Sequence, residues 1–275
     1  MTETLPYAEV IGDPIAHSKS PTIHNFWLGK LGIEAEYRKT HVKPDELPAY
    51  FLKRRADPDW LGCNVTIPHK VAVMDYVSDP GKVGEVIGAM NTIACETGGP
   101  LIGTNTDAGG FLAPLQSMGW KGKSACIIGA GGAARAILYA LDAIGVTDIL
   151  VMVRDAAKGQ ALLDRACVKG QVIGMDTPLF PVDLLVNSSP LGMTGKPPLE
   201  LDLSALPAHS VVYDIVYAPL DTPLLLAARA RKLATIDGLE MLIGQAALAF
   251  EIFFDAQAPR EHDAELRALL ISAEG

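Results

Sequence analysis

The chain has 275 residues, 49% hydrophobic and 20% charged, with a formal net charge of −9 and a mean hydropathy of +0.23. That length holds one large or two modest domains with cores of their own, and the composition is that of a compact α/β protein, not a disordered one. The negative charge and the lack of a dense Lys/Arg run argue against nucleic acid or an anionic membrane as partner, and with no leader-like N-terminus and no apolar stretch near ~18 residues a cytoplasmic protein is expected.

The first hundred residues alternate strand-like and helix-like segments. Tyr7 to Ile11 forms a strand that ends in a Gly12-Asp13-Pro14 turn. A helix then starts at Ser20-Pro21, with serine as N-cap, proline at the first helical position, and Ile23, Phe26, Trp27 and Leu31 at helical spacing. A strand near Ala35 to Val42, a helix from Pro44 to Arg55 and a strand from Leu61 to Thr66 follow; Pro68 opens another helix, and Lys82 to Ile87 is a short one. Asn91 to Asn105 holds two short strands around a Thr97-Gly98-Gly99 turn. Strands separated by helices predict a mainly parallel sheet.

From Ala108 the βα units lengthen: a helix to Met118, a strand Ser124 to Ile128, a helix to Ile144, a strand Asp148 to Val153 and a helix to Ala166. Strands near Val182 to Val186 and Val211 to Ile215 precede a helix from Pro223 to Arg231, and the last helices span Leu239 to Phe254 and Asp263 to Leu270. The reading is an α/β protein with a first domain at 1–107, completed by 239–275 packing back on it, and a Rossmann-like dinucleotide domain at 108–238. Cys63, Cys95, Cys126 and Cys167 lack CxxC or Cys/His spacing and are expected as buried free thiols; no metal site is predicted.

The segment carrying most information is Ser124-Ala-Cys-Ile-Ile-Gly129-Ala130-Gly131-Gly132-Ala133-Ala134, a strand running into a tight turn and a helix. Gly129 allows the turn, Gly131 allows backbone to approach a pyrophosphate, and Ala134 lets the helix pack on the strand. After the next strand, Arg154 and Lys158 suit an adenosine 2′-phosphate, while Asp155 suits a free 2′-hydroxyl or serves as a helix N-cap.

In Gly62-Cys-Asn64-Val-Thr66-Ile-Pro68-His-Lys70, Asn64 and Thr66 alternate on one strand face and Lys70 stands at a strand-to-helix junction, where parallel sheets place their crevices, although a lysine there is also ordinary surface charge. Asp107 is a candidate site carboxylate or an N-cap, and Asn91 a candidate ligand or a turn residue. Ser18 and Ser20 would suit a polyhydroxylated ligand, and Gln245, among Leu242, Ala246, Ala249 and Phe250, faces either a cleft or water.

Taken together these segments resemble the shikimate dehydrogenase family almost end to end. GDPIAHSKSPTIHN is similar to its substrate loop, which implies that Ser18 and Ser20 contact the substrate carboxylate. GCNVTIPHK implies Thr66 as a substrate ligand, beside Asn64, and Lys70 as the catalytic lysine; GAMNT and GTNTDAGG imply Asn91 as a substrate ligand and Asp107 as the carboxylate paired with that lysine. GAGGAARA matches the cofactor loop, which implies contacts from Gly129, Ala130, Gly131, Gly132 and Ala133. Ser188 falls in the nicotinamide-side segment, Ile215 and Tyr217 in the cofactor and substrate wall, and Gly238, Met241 and Gln245 on the closing helix.

The implied activity is reversible reduction of 3-dehydroshikimate to shikimate, in aromatic amino-acid biosynthesis, with NADP as cofactor and NAD as the alternative. Two departures stand out. NADP users of the family commonly read Asn-Arg-Thr where this chain has Val153-Arg154-Asp155, and Ala108 replaces a usual glycine. Asp155 therefore motivates a quinate or dual quinate/shikimate dehydrogenase using NAD as a rival, whereas the serines at 18 and 20 favour shikimate, since the resemblance associates threonine there with quinate. A non-catalytic metabolite sensor is the alternative of another class, opposed by retention of Lys70 and Asp107. The small-molecule substrate is the expected partner, and the sequence is compatible with a homodimer without signalling one.

Overall fold

A computed structural model describes residues 5–95 and 99–272; Thr97 and Gly98 of the expected Thr97-Gly98-Gly99 turn lie outside the described residues. The chain divides into two compact units, one combining residues up to Thr106 with those from Gln245 onward, the other running from Asp107 to Gly244.

The first unit opens with β1 (Tyr7–Gly12), α1 (Ser20–Leu31), β2 (Glu36–His41), α2 (Leu47–Arg55), β3 (Trp60–Val65), α3 (Val83–Val86), β4 (Thr92–Cys95) and β5 (Leu101–Thr104). Its sheet has the order β2-β1-β3-β4-β5, and only β4 runs against the other four. All six residues of β1 are buried, as suits a central strand covered on both faces. Strand alternation sends Tyr7 and Ile11 into a core with Phe51, Trp60, Val65 and Ile93, and Ala8 and Val10 to the opposite face, against Tyr37, Ala249 and Phe253. Glu9, fully buried, is held by Arg54 Nε at 2.6 Å, the Tyr50 hydroxyl at 2.8 Å and Thr40; a carboxylate without such partners would be too costly to bury.

The second unit contains α4 (Asp107–Ser117), β6 (Ser124–Ile128), α5 (Gly132–Ala143), β7 (Asp148–Val153), α6 (Ala156–Ala166), β8 (Gly170–Gly174), β9 (Leu184–Asn187), β10 (Val211–Asp214), α7 (Pro223–Ala230) and β11 (Ala234–Ile236). Its six parallel strands take the order β11-β10-β9-β6-β7-β8. The chain winds outward from β6 through β7 to β8, then returns to the other side of β6, so the strand order reverses between β6 and β9. This is the Rossmann arrangement, whose ligands bind at that reversal. The short strands β8 and β11 had no sequence signal: the first is bounded by glycines and the second has three residues.

The chain then enters α8 (Gly238–Phe254) and α9 (Asp263–Ser272). The division between units falls inside α8 because its first turns pack in the second unit, where a Cβ on Gly244 would lie 3.1 Å from Gly110 Cα. In the first unit α9 is tied to α1 by an ion pair between Lys30 and Glu265 at 2.7 Å.

Three expectations are corrected. Ser20 is the first residue of α1 and not its cap; Lys19 takes the N-cap position, its side chain making no capping bond, and the Ser20 N–H donates to Ser18 Oγ at 3.4 Å. No α-helix follows Pro68, because the Lys70 carbonyl that would continue one accepts from Met90 N at 2.7 Å and Met74 N bonds back to Val71 O; turns lead instead to a 3-10 segment, Ala72–Tyr76. The cysteines are all free, but only Cys63 and Cys126 are buried, while Cys95 is half-buried and Cys167 exposed.

His24 on α1 is fully buried, stacked on Tyr37 at 3.9 Å and ringed by Trp27, Phe250, Phe253 and Phe254, and neither ring nitrogen has a hydrogen-bond partner among the described residues. Burial lowers its pKa from 6.5 to about 3. Above pH 6.5 the ring is neutral folded or unfolded, whereas below it the unfolded chain takes up a proton that the native site refuses. Stability from this group is thus present above the unfolded value and declines by about 1.4 kcal/mol per pH unit on acidification towards the folded one. His24→Phe is expected to flatten the pH 4–6 dependence of urea midpoints relative to wild type; an unchanged slope would refute this.

Candidate active site

In the first unit, the polar side chains singled out from the sequence sit around the start of α1, at and after the end of β3, just before β4, and on α8. Asn64, Asn91 and Gln245 are brought together: Asn91 Nδ2 donates to Gln245 Oε1 at 3.3 Å, and Asn64 Nδ2 donates to the Asn91 carbonyl at 3.2 Å. Thr106 joins them, accepting from Asn91 Nδ2 at 2.9 Å while its own N–H donates to Asn91 Oδ1 at 2.7 Å. The Tyr37 hydroxyl reaches across β1 to donate to Asn64 Oδ1 at 2.6 Å. Gln245 is buried and faces this cluster rather than water.

Thr66 follows β3, its N–H donating to Ile11 O at 3.0 Å, and its methyl lies where a side chain on Gly12 would stand. Lys70, half-buried, projects from the turn after it. That turn is anchored by the buried His69, whose Nε2 lies 2.6 Å from the Val42 carbonyl, and by the Lys70–Met90 backbone bond. Ser18 and Ser20 flank Lys19, whose ammonium donates to the Leu270 carbonyl at 2.7 Å, so α9 steadies the serine loop.

In the second unit, Asp107 is buried at the start of α4. The glycine loop occupies the strand-order reversal. Gly129 has φ +107°, a value open to glycine, and its N–H donates to Met152 O. Gly131 takes the N-cap position of α5, and a Cβ there would meet nothing within 4 Å, so the space beside it at the helix N-terminus is open. That is the shape a dinucleotide pyrophosphate needs. Ala130, Gly132 and Ala133 share its half-exposed surface. Arg154 and Lys158 stand exposed at the end of β7 and the start of α6, and Asp155 between them is the N-cap, accepting from Ala157 N at 3.1 Å and Lys158 N at 3.4 Å.

Across the reversal, the Ser188 hydroxyl donates to Ile128 O at 2.7 Å, locking the β9 loop to the glycine loop. Asp214, fully buried, ties this loop to the next: it accepts from Asn187 Nδ2 at 2.9 Å, Thr222 Oγ1 at 2.7 Å and Val216 N at 3.1 Å. Burial raises its pKa, against those three bonds. Ile215 and Tyr217 lie on the stretch so held, and Gly238 packs so closely on it that a Cβ would come within 2.4 Å of the Ile215 carbonyl. Met241 is buried one turn along α8.

Residues 10–93 match the model of the shikimate dehydrogenase substrate binding domain and residues 238–265 that of the shikimate 5′-dehydrogenase C-terminal domain. The chain is 58% identical over 267 residues to a shikimate dehydrogenase (NADP(+)) of Sphingopyxis alaskensis, covering 97% of each. It belongs to the shikimate dehydrogenase family. Among solved structures, the family's shikimate 5-dehydrogenase from Thermus thermophilus, in complex with NADP(H) and shikimate, is similar at TM-score 0.85 and 32% identity, over 97% of this chain and 100% of that one. The quinate dehydrogenase of Corynebacterium glutamicum, in complex with NAD, is similar at TM-score 0.84 and 28% identity, over 96% and 99%.

Tyr37, on a separate strand, lies outside every motif and offered no signal. His69, Thr92, Asn187, Asp214 and Thr222 stand inside the family segments, but nothing in the sequence marked them as supports of their neighbours.

Proposed function

We propose that this chain is a shikimate dehydrogenase that reduces 3-dehydroshikimate reversibly to shikimate with NADPH, in aromatic amino-acid biosynthesis. The observation that carries the proposal is the buried Asn64–Asn91–Gln245 cluster, which presents amides to a polyhydroxylated ring, in a chain whose other unit bears an open glycine loop at its strand reversal. Bound NADPH supplies the hydride; residues 129–133 would hold its pyrophosphate, Arg154 and Lys158 its 2′-phosphate, and Ser188, Ile215, Gly238 and Met241 the nicotinamide side. Ser18 and Ser20 take the substrate carboxylate, and Asn64, Thr66, Asn91, Tyr217 and Gln245 its hydroxyls.

Lys70 stabilises the oxygen on which negative charge develops as the ketone is reduced, and donates the proton that completes the alcohol. Asp107 is the carboxylate that serves the reaction together with this lysine. Steady-state rates with shikimate and quinate against NADP and NAD test the reading; the expected result is a clear preference for shikimate with NADP. Preference for quinate with NAD would replace it by the rival reading, and tight binding of shikimate without turnover would leave a sensor. A cytoplasmic setting and a homodimer belong to the same proposal, the second checked by light scattering of the purified protein.

A further inference from the structure

Thr92, the first residue of β4, is fully buried and stands directly across from Asn64 on β3 and Thr104 on β5. Two backbone groups decide the polarity of the side chains around it. A main-chain carbonyl only accepts, so the Asn64 atom 3.2 Å from the Asn91 carbonyl is Nδ2, and that same nitrogen donates to Thr92 Oγ1 at 2.9 Å. A main-chain N–H only donates, so the Asn91 atom 2.7 Å from Thr106 N is Oδ1, which then receives the Thr92 hydroxyl at 3.1 Å. With its acceptor end engaged there, Asn91 directs Nδ2 to Thr106 Oγ1 and to Gln245 Oε1. Gln245 consequently turns its carbonyl inward and keeps Nε2 as the donor end.

One hydroxyl therefore joins two amides of opposed orientation, accepting from Asn64 and donating to Asn91. It has no exposed surface of its own with which to touch a ligand. Resting on the function proposed above, we infer that Thr92 is a positioning residue for substrate affinity: its hydroxyl ties Asn64 to Asn91 and so holds the two binding amides in the orientation that the backbone groups give them. Removing it takes from Asn64 Nδ2 one of its two acceptors, leaving the Asn91 carbonyl, and from Asn91 Oδ1 one of its donors, leaving the Thr106 N–H, so the two amides lose the link that holds them in register.

The test compares Thr92→Val, which keeps the branched shape and loses the hydroxyl, with Thr92→Ser, which keeps the hydroxyl and loses a methyl. Thr92→Val is expected to raise KM for shikimate about tenfold or more, with kcat within about threefold and KM for NADP unchanged, while Thr92→Ser stays near wild type. A packing role gives the opposite order, since serine leaves the larger void. The inference is overturned if Thr92→Val keeps the wild-type KM for shikimate, or if serine is as impaired as valine. Should Thr92→Val not fold, Thr92→Ala against Thr92→Ser isolates the same hydroxyl, and equal KM values for those two overturn it. Wild-type protein without shikimate turnover would instead defeat the functional reading, a result distinct from an active wild type whose variants show no KM difference.

Discussion

Lys70→Ala is expected to lower kcat for shikimate oxidation and for 3-dehydroshikimate reduction by about 10²–10⁴, with KM within a few fold of wild type. The lost ammonium would otherwise be strongest when the carbonyl oxygen carries most charge, so its removal weighs on the transition state more than on the bound substrate. The backbone supporting Lys70 does not depend on its side chain: the Met90 N to Lys70 O bond and the His69 contact with the Val42 carbonyl survive the change. The melting temperature should therefore stay close to wild type, separating chemistry from folding. Lys70→Arg divides the two contributions, since a guanidinium keeps the charge but gives up its proton far less readily; it should retain more activity than alanine and less than wild type. Near-normal turnover in Lys70→Ala would remove the lysine from the mechanism.

The second large effect concerns the cofactor. The double variant Arg154→Ala with Lys158→Ala is expected to reduce kcat/KM for NADP by about 10²–10³ and that for NAD by less than about threefold, because each charge-assisted bond to a phosphate is worth roughly 1.5–3 kcal/mol. Both cations are exposed beside the end of β7. Asp155 between them is a charge that opposes a 2′-phosphate, and its role as N-cap of α6 explains why a carboxylate can stand there for a structural reason. Asp155→Ser preserves an N-cap oxygen and removes the charge, so it should shift the NADP/NAD ratio of kcat/KM further towards NADP. Equal losses for both cofactors in the double variant would show that these side chains do not read the 2′-phosphate.

The glycine loop, the strand before it and the helix after it were legible because a tight turn, a buried parallel strand and a helix N-terminus each impose a local rule on residue type, and Gly129 and Ala134 obey them. The segments around Ser18, Lys70, Asn91 and Asp107 were legible as motifs in order along the chain. The extent of the helix after Pro68 was misread, because what halts it is the N–H of Met90, supplied from outside the segment.

The amino-acid sequence alone determined the class of the protein and its glycine loop, since the loop follows from local backbone constraints, while the family motifs supplied the candidate side chains for the chemistry. Only the tertiary structure decided which way the amides face and what holds them: Asn91 and Gln245 are 154 positions apart, Asn64 and Thr92 are partners across two strands, and Asp214 joins loops that no periodicity connects. The physical reason is that hydrogen-bond polarity is handed on from backbone groups whose direction is known only once the strands are paired, so the sequence names Thr92 within a motif but not the two amides that its hydroxyl links.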